Sequence, residues 1–323
     1  MNHQQKEQIV KAAIDYSIAA GWAKGNSTGV NQLAQFSKVN VSYLSRILNK
    51  EFTYHDNKAG KDQPIADHWF IQLAESIGYK QEKEYWPHME TPQYQDMIME
   101  LDEALLTSGT RVIICDSGFG KTYTSKRFQK QNPNKVFIVT CSSLDCPRVI
   151  AEKLMEAIGK NFEERNLGRL LTRINAALYS MGRYNGQKPM VIFDEAENLK
   201  LPGLQMLKTM YDTLNWTCSL VLIGTDQLIQ NIEKLKHKNK IGMPQFYRRF
   251  KAGIRFIDQN GCDYDLVLKN RGFSPALKKL IKNQCCNYGE IHDFLVPALK
   301  EADMLCEPLT DDLFRMKYRL QHI

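Results

Sequence analysis

The stretch Arg111–Thr122, which reads RVIICDSGFGKT, constrains the fold of this chain more than any other segment. Its apolar residues Val112–Cys115 predict a buried strand, and Gly118 and Gly120 predict a turn that leads into a helix over residues 124–130. Backbone N–H groups in such a turn and at the helix N-terminus face the same point, so they attract an anion. The segment therefore predicts an anion-binding loop on an α/β sheet.

The loop follows the phosphate-binding pattern G-x-x-x-x-G-K-[ST], except that Cys115 occupies the first glycine position. In this pattern the lysine reaches the β- and γ-phosphates of a nucleotide, and the hydroxyl holds Mg²⁺. We therefore expect Lys121 to bind phosphate and Thr122 to ligate Mg²⁺. The predicted nucleotide-binding residues of this loop are Ser117, Gly118, Phe119, Gly120, Lys121, Thr122 and Tyr123.

A second apolar run, Pro189–Asn198 (PMVIFDEAEN), ends in adjacent carboxylates. A buried parallel strand has such an unbroken apolar sequence, and its carboxyl end presents ligand-binding groups in an open α/β sheet. We expect Asp194 to bind the Mg²⁺ shell and Glu195 to polarise an attacking water molecule. Alone, DEAE is more typical of a solvated helix start, but downstream of the GKT motif it indicates a nucleoside triphosphatase.

Strand-like and helix-like segments alternate through the middle of the chain. This alternation predicts a parallel sheet with helices on both faces. The strands expected after the phosphate loop are Lys135–Cys141, Met190–Asp194, Ser219–Gly224 and Ile254–Ile257. The expected helices are Met97–Leu106, Pro147–Ile158, Leu167–Met181, Leu201–Leu214 and Gln227–Lys236.

Two further features of this region carry polar groups. Thr225 follows the strand-like Ser219–Gly224, where its hydroxyl would orient an attacking water or sense the γ-phosphate; a plain strand-end turn is the alternative. Arg248 and Arg249 lie between aromatic residues after a lysine-rich loop. They either form a basic surface on a partly buried helix or supply an arginine finger to the γ-phosphate of a neighbouring subunit.

Composition is typical of a globular protein with a basic surplus. The chain has 323 residues and a formal net charge of +7, which is compatible with nucleic-acid binding but does not establish it. Its 8 cysteines include no C-x-x-C pair, which favours reduced thiols over zinc sites or disulfides. The start of the chain has no signal-peptide pattern and no run is long enough to span a bilayer. We therefore expect a cytoplasmic protein with no membrane partner.

The N-terminal region is predicted to be helical. The stretch VNQLAQFSKVNVSYLSRILNKEF strongly resembles repressor-type helix-turn-helix sequences of phages, with Asn40 as the cap of its second helix. Lys38 replaces the usual turn glycine, which would cost about 1 kcal/mol if its φ is positive. The residues expected to contact DNA are Ser42, Tyr43, Ser45 and Arg46 in the groove and Lys50 near phosphates. A helical protein–protein module with the same core is the alternative.

These motifs divide the chain into three predicted domains. Residues 1–90 form the helix-turn-helix domain and residues 91–262 the sheet-containing core, with a polar, proline-containing linker at Tyr79–Gln93. Residues 263–323 have no strand pattern, and helices at Pro275–Asn283 and Ile291–Met304 predict a small helical lid. The expected fold class is therefore an α/β core between two helical regions.

The order of these motifs resembles that of AAA+ ATPases, and within them the transposition regulators of the phage Mu B protein and TnsC type. The resemblance covers nearly the whole chain. It implies that the first motif is the Walker A sequence, the second the Walker B sequence, and Thr225 the sensor-1 residue. It also implies that Arg249 is the arginine finger, with Arg248 as the second candidate. The lid sequence Gly289–His292 has His292 where this family usually has arginine, which leaves the second sensor weakened or absent.

The resemblance further implies a Mg²⁺-dependent ATPase that assembles into a homo-oligomer, a helical filament or a ring, on double-stranded DNA. Such an assembly would mark target DNA and recruit or activate a DDE-type transposase, which would stimulate ATP hydrolysis and dismantle it. Two other functions stay open at this point. One is a helicase loader similar to DnaC, which would not need a repressor-like N-terminus. The other is an ATP-gated DNA-binding transcriptional switch in which hydrolysis is incidental.

Overall fold

The computed structural model describes residues 1, 3–23, 29–56, 60–79, 83–161, 163–183, 188–257, 261–269 and 271–321. They form two compact units, Met1–Glu84 and Tyr85–Ile323. Each unit has hydrophobic core residues of its own.

In its described residues, the first unit combines helices with a small antiparallel hairpin. Its core contains fully buried Leu33, Leu44, Phe70 and Leu73, which come from three different helices. The elements are α1 (His3–Ala19), α2 (Val30–Ser37), α3 (Val41–Leu48), β1 (Thr53–Asp56), β2 (Lys61–Pro64) and α4 (Asp67–Ser76).

The turn between α2 and α3 contains the Asn40 cap that the sequence predicted. Lys38 adopts a left-handed conformation with φ 56°, the strained case considered for this position. Asn40 caps α3, because its side-chain oxygen accepts a hydrogen bond of 2.9 Å from the backbone N–H of Ser42. Two helices thus meet across a short turn and share one core.

The hairpin β1–β2 was not predicted, and it changes the surroundings of α3. The ring of Tyr43 packs edge-on against Tyr54 of β1 at 5.3 Å and lies 5.7 Å from Trp69 of α4. These aromatic contacts fix the hairpin to the second helix of the turn. The strand sequences TYHD and KDQP are mostly polar, with Tyr54 and Gln63 half-buried, so no alternation of apolar and polar residues marks them.

The second unit contains a five-stranded parallel sheet with the order β4-β5-β6-β3-β7, which confirms the predicted α/β core. The strands are β3 (Thr110–Ile114), β4 (Val136–Thr140), β5 (Met190–Asp194), β6 (Ser219–Gly224) and β7 (Ile254–Phe256). The helices around this sheet are α5 (Pro92–Thr107), α6 (Lys121–Gln131), α7 (Pro147–Ile158), α8 (Leu167–Arg183), α9 (Leu201–Leu214), α10 (Asp226–His237) and α11 (Met243–Phe250).

This strand order brings the predicted motifs together. The chain leaves β3 through the phosphate loop, crosses to the edge strand β4, and returns through β5 and β6 to lie beside β3 again. The backbone N–H of Cys115 donates to the carbonyl of Gly224 at 3.0 Å, so the carboxyl ends of β3 and β6 lie side by side. Polar residues that follow β3, β5 and β6 therefore share one edge of the sheet.

The last described part of the chain is helical, as predicted, and has its own buried cluster, which includes Leu277, Ile281, Ile291 and Phe314. Its helices are α12 (Tyr264–Leu268), α13 (Pro275–Gln284), α14 (Tyr288–Met304) and α15 (Asp311–Tyr318). The predicted domain boundary between residues 262 and 263 stays a prediction. Among the described helices, none combines the length and the apolar character that crossing a membrane requires.

Candidate nucleotide site

A cavity of about 590 Å³ opens at the carboxyl edge of the sheet in the second unit. It is bounded by the phosphate loop, by the residues after β5 and β6, by the start of α14 and by a segment before α5. Its lining residues include Trp86, His88, Met89, Ser117, Gly118, Phe119, Gly120, Lys121, Thr122, Tyr123, Glu195, Glu197, Thr225, Tyr288, Gly289 and His292. All the residues predicted to bind nucleotide are thus in one cavity.

The phosphate loop places a lysine ammonium at the floor of this cavity. Nζ of Lys121 donates to the carbonyl oxygens of Cys115 at 2.9 Å and Asp116 at 2.8 Å, directly after β3. Burial raises the pKa of the Cys115 thiol to about 11, so this side chain is neutral at physiological pH. The cysteine in the first motif position therefore adds no negative charge to the site.

The two sequence motifs meet through one short hydrogen bond. The Thr122 hydroxyl donates to Oδ2 of Asp194 at 2.6 Å, and Oδ1 of the same carboxylate accepts from the backbone N–H of Glu195 at 3.0 Å. Asp194 is fully buried, so its carboxylate is fixed in position. A hydroxyl and a carboxylate oxygen this close suit Mg²⁺, which uses few protein oxygens together with phosphate and water. These two residues would hold the metal ion.

Glu195 and Thr225, which the sequence analysis predicted to act on the attacking water, both line this cavity. Glu195 has a left-handed backbone conformation, φ 54°, and an exposed side chain that faces the cavity, with the amide of Asn198 3.4 Å from Oε2. Thr225 follows β6, and its hydroxyl is buried without a hydrogen-bond partner in the described part of the chain. Both groups line the cavity beside the loop that would hold the γ-phosphate.

The start of α14 closes one side of the phosphate loop. The backbone N–H of Gly289 donates to the carbonyl of Gly118 at 2.8 Å. A Cβ atom at position 118 would lie 2.0 Å from Oδ1 of Asn287, and the φ of 80° is one that side chains disfavour. Only glycine fits this contact between loop and lid.

His292, near the start of α14, lines the same cavity. Its Nδ1 lies 2.9 Å from Oδ1 of Asp293, and its ring packs edge-on against Trp86 at 5.3 Å. An imidazole shorter than arginine and already paired with a carboxylate provides a weaker phosphate contact. This geometry is consistent with the expectation of a weakened second sensor.

One wall of the cavity comes from a segment that the sequence analysis treated as linker. Trp86 and His88 line the cavity, and the Arg271 guanidinium lies 5.5 Å from the Trp86 ring and donates to the carbonyl of Tyr85.

The His88 ring stacks on Tyr123, with Nδ1 of His88 2.9 Å from the Tyr123 hydroxyl oxygen. Burial and the charge of Arg127 lower the pKa of His88, so the ring is neutral at pH 7. Flat, uncharged rings at this wall suit a nucleotide base. The signal for this wall in the sequence was the pair of aromatic residues Trp86 and His88.

The two predicted finger arginines lie elsewhere. Arg248 and Arg249 line a separate polar cavity of about 360 Å³ near the end of α9. Arg249 is held there, because its Nη2 pairs with Oδ1 of Asp212 at 2.6 Å and its guanidinium lies 5.6 Å from the Tyr211 ring. Arg248 is exposed and forms no ion pair within the described residues. Neither side chain lines the nucleotide cavity of its own chain.

The predicted DNA-contacting residues belong to the first unit. Ser42 is exposed and Ser45 half-exposed on α3, and Lys50 is exposed just after that helix with φ 61°. Tyr43 packs in the aromatic cluster with the hairpin, as described above. Arg46 donates to the carbonyl of Thr53 at 3.2 Å, which ties it to the base of the hairpin.

The fold and the site define the class of this protein. An AAA domain matches residues 106–232, which contain both motifs and four of the five strands. The same fold occurs in the Aeropyrum pernix ORC1 protein in complex with DNA, with a TM-score of 0.53, 16% identity and coverage of 71% of this chain and 65% of that one. Cdc6p from Pyrobaculum aerophilum aligns with a TM-score of 0.51, 15% identity and coverage of 70% and 68%. The second unit therefore has the AAA+ P-loop fold.

Among known proteins, the chain is similar to the ATP-dependent target DNA activator B of Escherichia phage Mu. The two are 22% identical over 214 residues, which cover 65% of this chain and 62% of the phage protein. The activator B of Escherichia phage D108 matches with the same values. The match thus spans less than two thirds of the length of these relatives. It confirms the predicted resemblance to AAA+ transposition regulators.

Proposed function

We propose that this protein is an ATP-dependent DNA-binding ATPase that assembles on duplex DNA, selects it as a transposition target and activates a DDE-type transposase. The observation that carries the ATPase part is the 2.6 Å hydrogen bond from Thr122 to Asp194, which joins both motifs beside Lys121 and Glu195. The DNA and transposition part is supported by the similarity to phage target DNA activators.

The residues of the cavity provide for attack of water on the γ-phosphate. Lys121 neutralises phosphate charge, and the Glu195 carboxylate accepts a proton from the attacking water. The water oxygen then bonds to the γ-phosphorus while the bond to the bridging β–γ oxygen breaks, which yields ADP and phosphate. Mg²⁺ bound at Thr122 and Asp194 would supply further positive charge to the phosphates.

The position of the arginines supports action between subunits. The Thr110 hydroxyl donates to the carbonyl of Arg249 at 3.4 Å, which places that residue at the start of β3, whereas the phosphate loop follows its end. A five-residue strand separates these ends by roughly 13 Å. Since Arg249 is tied to Asp212, the exposed Arg248 is the better finger in this geometry, with Arg249 as its anchor. Such a finger would reach the nucleotide of a neighbouring copy.

A basic surface near this helix supports nucleic-acid binding by the core. Residues 234–251 contain no aspartate or glutamate. The exposed cations of this surface, none with an ion pair in the described part of the chain, are Lys234, Lys238, Lys240, Arg248 and Lys251. Unpaired cations on one stretch attract phosphates through counterion release and do so without reading sequence.

Electron microscopy of the full chain on plasmid-length duplex DNA tests the assembly. We expect continuous filaments or stacked rings on DNA of unrelated sequence with ATP or a slowly hydrolysed analogue, and none with ADP. Assembly requires the γ-phosphate because the finger of one subunit binds the γ-phosphate held by the next. Discrete particles at one DNA site, indifferent to nucleotide, would instead favour the transcriptional switch. ATP-dependent binding to a helicase rather than to a DNA-bound transposase would favour the loader.

Mixing two inactive variants tests action between subunits. Arg248→Ala is expected to lower the DNA-stimulated ATPase rate by roughly 10³-fold or more, because transition-state charge loses its counterion. Mixed in equal amounts with Glu195→Gln, it should recover about a quarter of the wild-type rate, since half of the sites keep Glu195 and half of those sites have a neighbour that keeps Arg248. Arg169→Ala, which removes an exposed arginine of α8 outside the basic surface and outside both cavities, is the control and should retain the rate. A mixture as inactive as its components would argue against a finger supplied in trans.

A further inference from the structure

One carboxylate of the nucleotide cavity has no role in the function proposed above. Glu197 lies on the short 3₁₀ turn Ala196–Asn198, two residues after Glu195. Its Oε2 atom is buried and accepts no hydrogen bond, and the side chain forms no ion pair within the described residues. A carboxylate placed here without a protein partner requires an explanation.

Thr225 presents a second unpartnered group to the same cavity. Its Oγ1 atom is also buried without a hydrogen-bond partner in the described part of the chain, so the threonine does not bond to Glu197. Buried polar atoms in proteins nearly always have a partner, and the exceptions mark ligand sites or ordered water. Two such oxygens in one cavity point to a shared ligand that can both donate and accept.

The end of β6 brings these two groups close together. A Cβ atom on Gly224 would lie 2.6 Å from Oε2 of Glu197, so this carboxylate oxygen rests directly against the residue before Thr225. The absence of a side chain at position 224 is what admits the carboxylate. The contact joins the turn after β5 to the end of β6.

Water is the ligand that suits both groups. It donates one hydrogen to the Glu197 oxygen and accepts the hydrogen of the Thr225 hydroxyl, and a second hydrogen remains for another carboxylate. Glu195, which lines the same cavity, is exposed, and the Asn198 amide lies 3.4 Å from its Oε2. Three oxygen-bearing groups therefore line the cavity that the phosphate loop also lines.

We propose that Glu197 is a positioning residue for ATP hydrolysis, which, together with Thr225, holds the attacking water while Glu195 takes its proton. The proposal rests on the ATPase function proposed above. Glu197 does not receive the proton, and the bonds that form and break are those already given for attack at the γ-phosphorus. Loss of Glu197 therefore leaves the chemistry intact but leaves the water poorly oriented.

The test compares Glu197→Ala and Glu197→Gln with wild type in DNA-stimulated ATP hydrolysis by the full chain. We expect kcat to fall at least 10-fold in Glu197→Ala and less in Glu197→Gln, whose amide oxygen still accepts a hydrogen bond. KM and the affinity for a fluorescent ATP analogue should stay within threefold. Glu233→Gln, which removes the same charge on α10 away from the cavity, is the control and should match wild type.

The double variant Glu197→Ala with Thr225→Ala tests the shared water. Because both groups hold one molecule, the double variant should be no slower than the slower single variant. Losses that multiply, or a Glu197→Ala rate within twofold of wild type, would overturn the positioning role while leaving the ATPase proposal in place. A wild-type chain that hydrolyses no ATP with or without DNA would overturn the ATPase proposal itself, and this one with it.

Discussion

Lys121→Ala is expected to weaken ATP binding by about 100-fold, because each tenfold loss corresponds to about 1.4 kcal/mol and two charge-assisted contacts to phosphate contribute about 3 kcal/mol. The lysine ammonium is the positive charge that the phosphate loop itself directs at the floor of the cavity. Its present partners are two backbone carbonyls, so its removal leaves no charged group of the protein unpaired. The loss should therefore be one of binding and not of folding.

Titration of a fluorescent ATP analogue measures this change, with the midpoint of thermal unfolding recorded alongside. Lys126→Ala is the matched control, because Lys126 lies on the same helix but is exposed and does not line the cavity. We expect the control to bind ATP as wild type does. Equal ATP affinity of Lys121→Ala and wild type, with both proteins folded, would show that this loop does not hold the phosphates.

The features that the sequence analysis predicted correctly are those encoded by neighbouring residues. An apolar run bounded by glycines predicted β3 and the loop after it, and Asn40 marked the start of α3 because the cap is made by its own neighbour. Because the carboxyl ends of parallel strands lie at the same edge of a sheet, the adjacent carboxylates after β5 were predicted to lie at the edge that carries the phosphate loop. Local pattern and the rules of parallel sheets were sufficient for these features.

The features that were missed depend on contacts between distant residues. The residues next to Trp86 in the sequence do not indicate that Arg271 lies against its ring. The segment that contains Trp86 was therefore interpreted as a linker. The unpartnered oxygen of Glu197 is visible only when β6 is placed beside the turn after β5. The polar hairpin β1–β2 is fixed by an aromatic contact to α3. Its sequence lacks the alternation of apolar and polar residues that would predict strands.

Arg248 and Arg249 combine a feature that the local sequence indicates with one that depends on a distant contact. The sequence left two roles open for the adjacent arginines, a basic surface or a finger for a neighbouring subunit, and only the resemblance favoured Arg249 as the finger. The choice depends on Asp212, which lies on α9 and pairs with Arg249. A salt bridge between distant residues thus changes which side chain is available, although the helix that carries both was predicted to be partly buried and basic.

Glu195→Gln is expected to lower the ATPase rate by about 100-fold or more while ATP binding stays within threefold of wild type, because a glutamine keeps the shape but accepts no proton. Lys121, Thr122 and Asp194 are untouched, so the nucleotide and metal contacts persist. If hydrolysis is what dismantles the assembly, the variant should remain on DNA after free ATP is removed, when wild type dissociates. Filament lifetime by microscopy and phosphate release measure the two effects on one sample.

The matched control for this variant is Glu156→Gln, which makes the same change on α7, outside the cavity. It should hydrolyse ATP and leave DNA as wild type does. Three results would each contradict a different step. Hydrolysis at the wild-type rate would remove Glu195 from the role of base. A blocked ATPase with normal dissociation from DNA would separate hydrolysis from disassembly. DNA binding that is the same with and without nucleotide in every variant would make the second unit an accessory of the first in binding DNA.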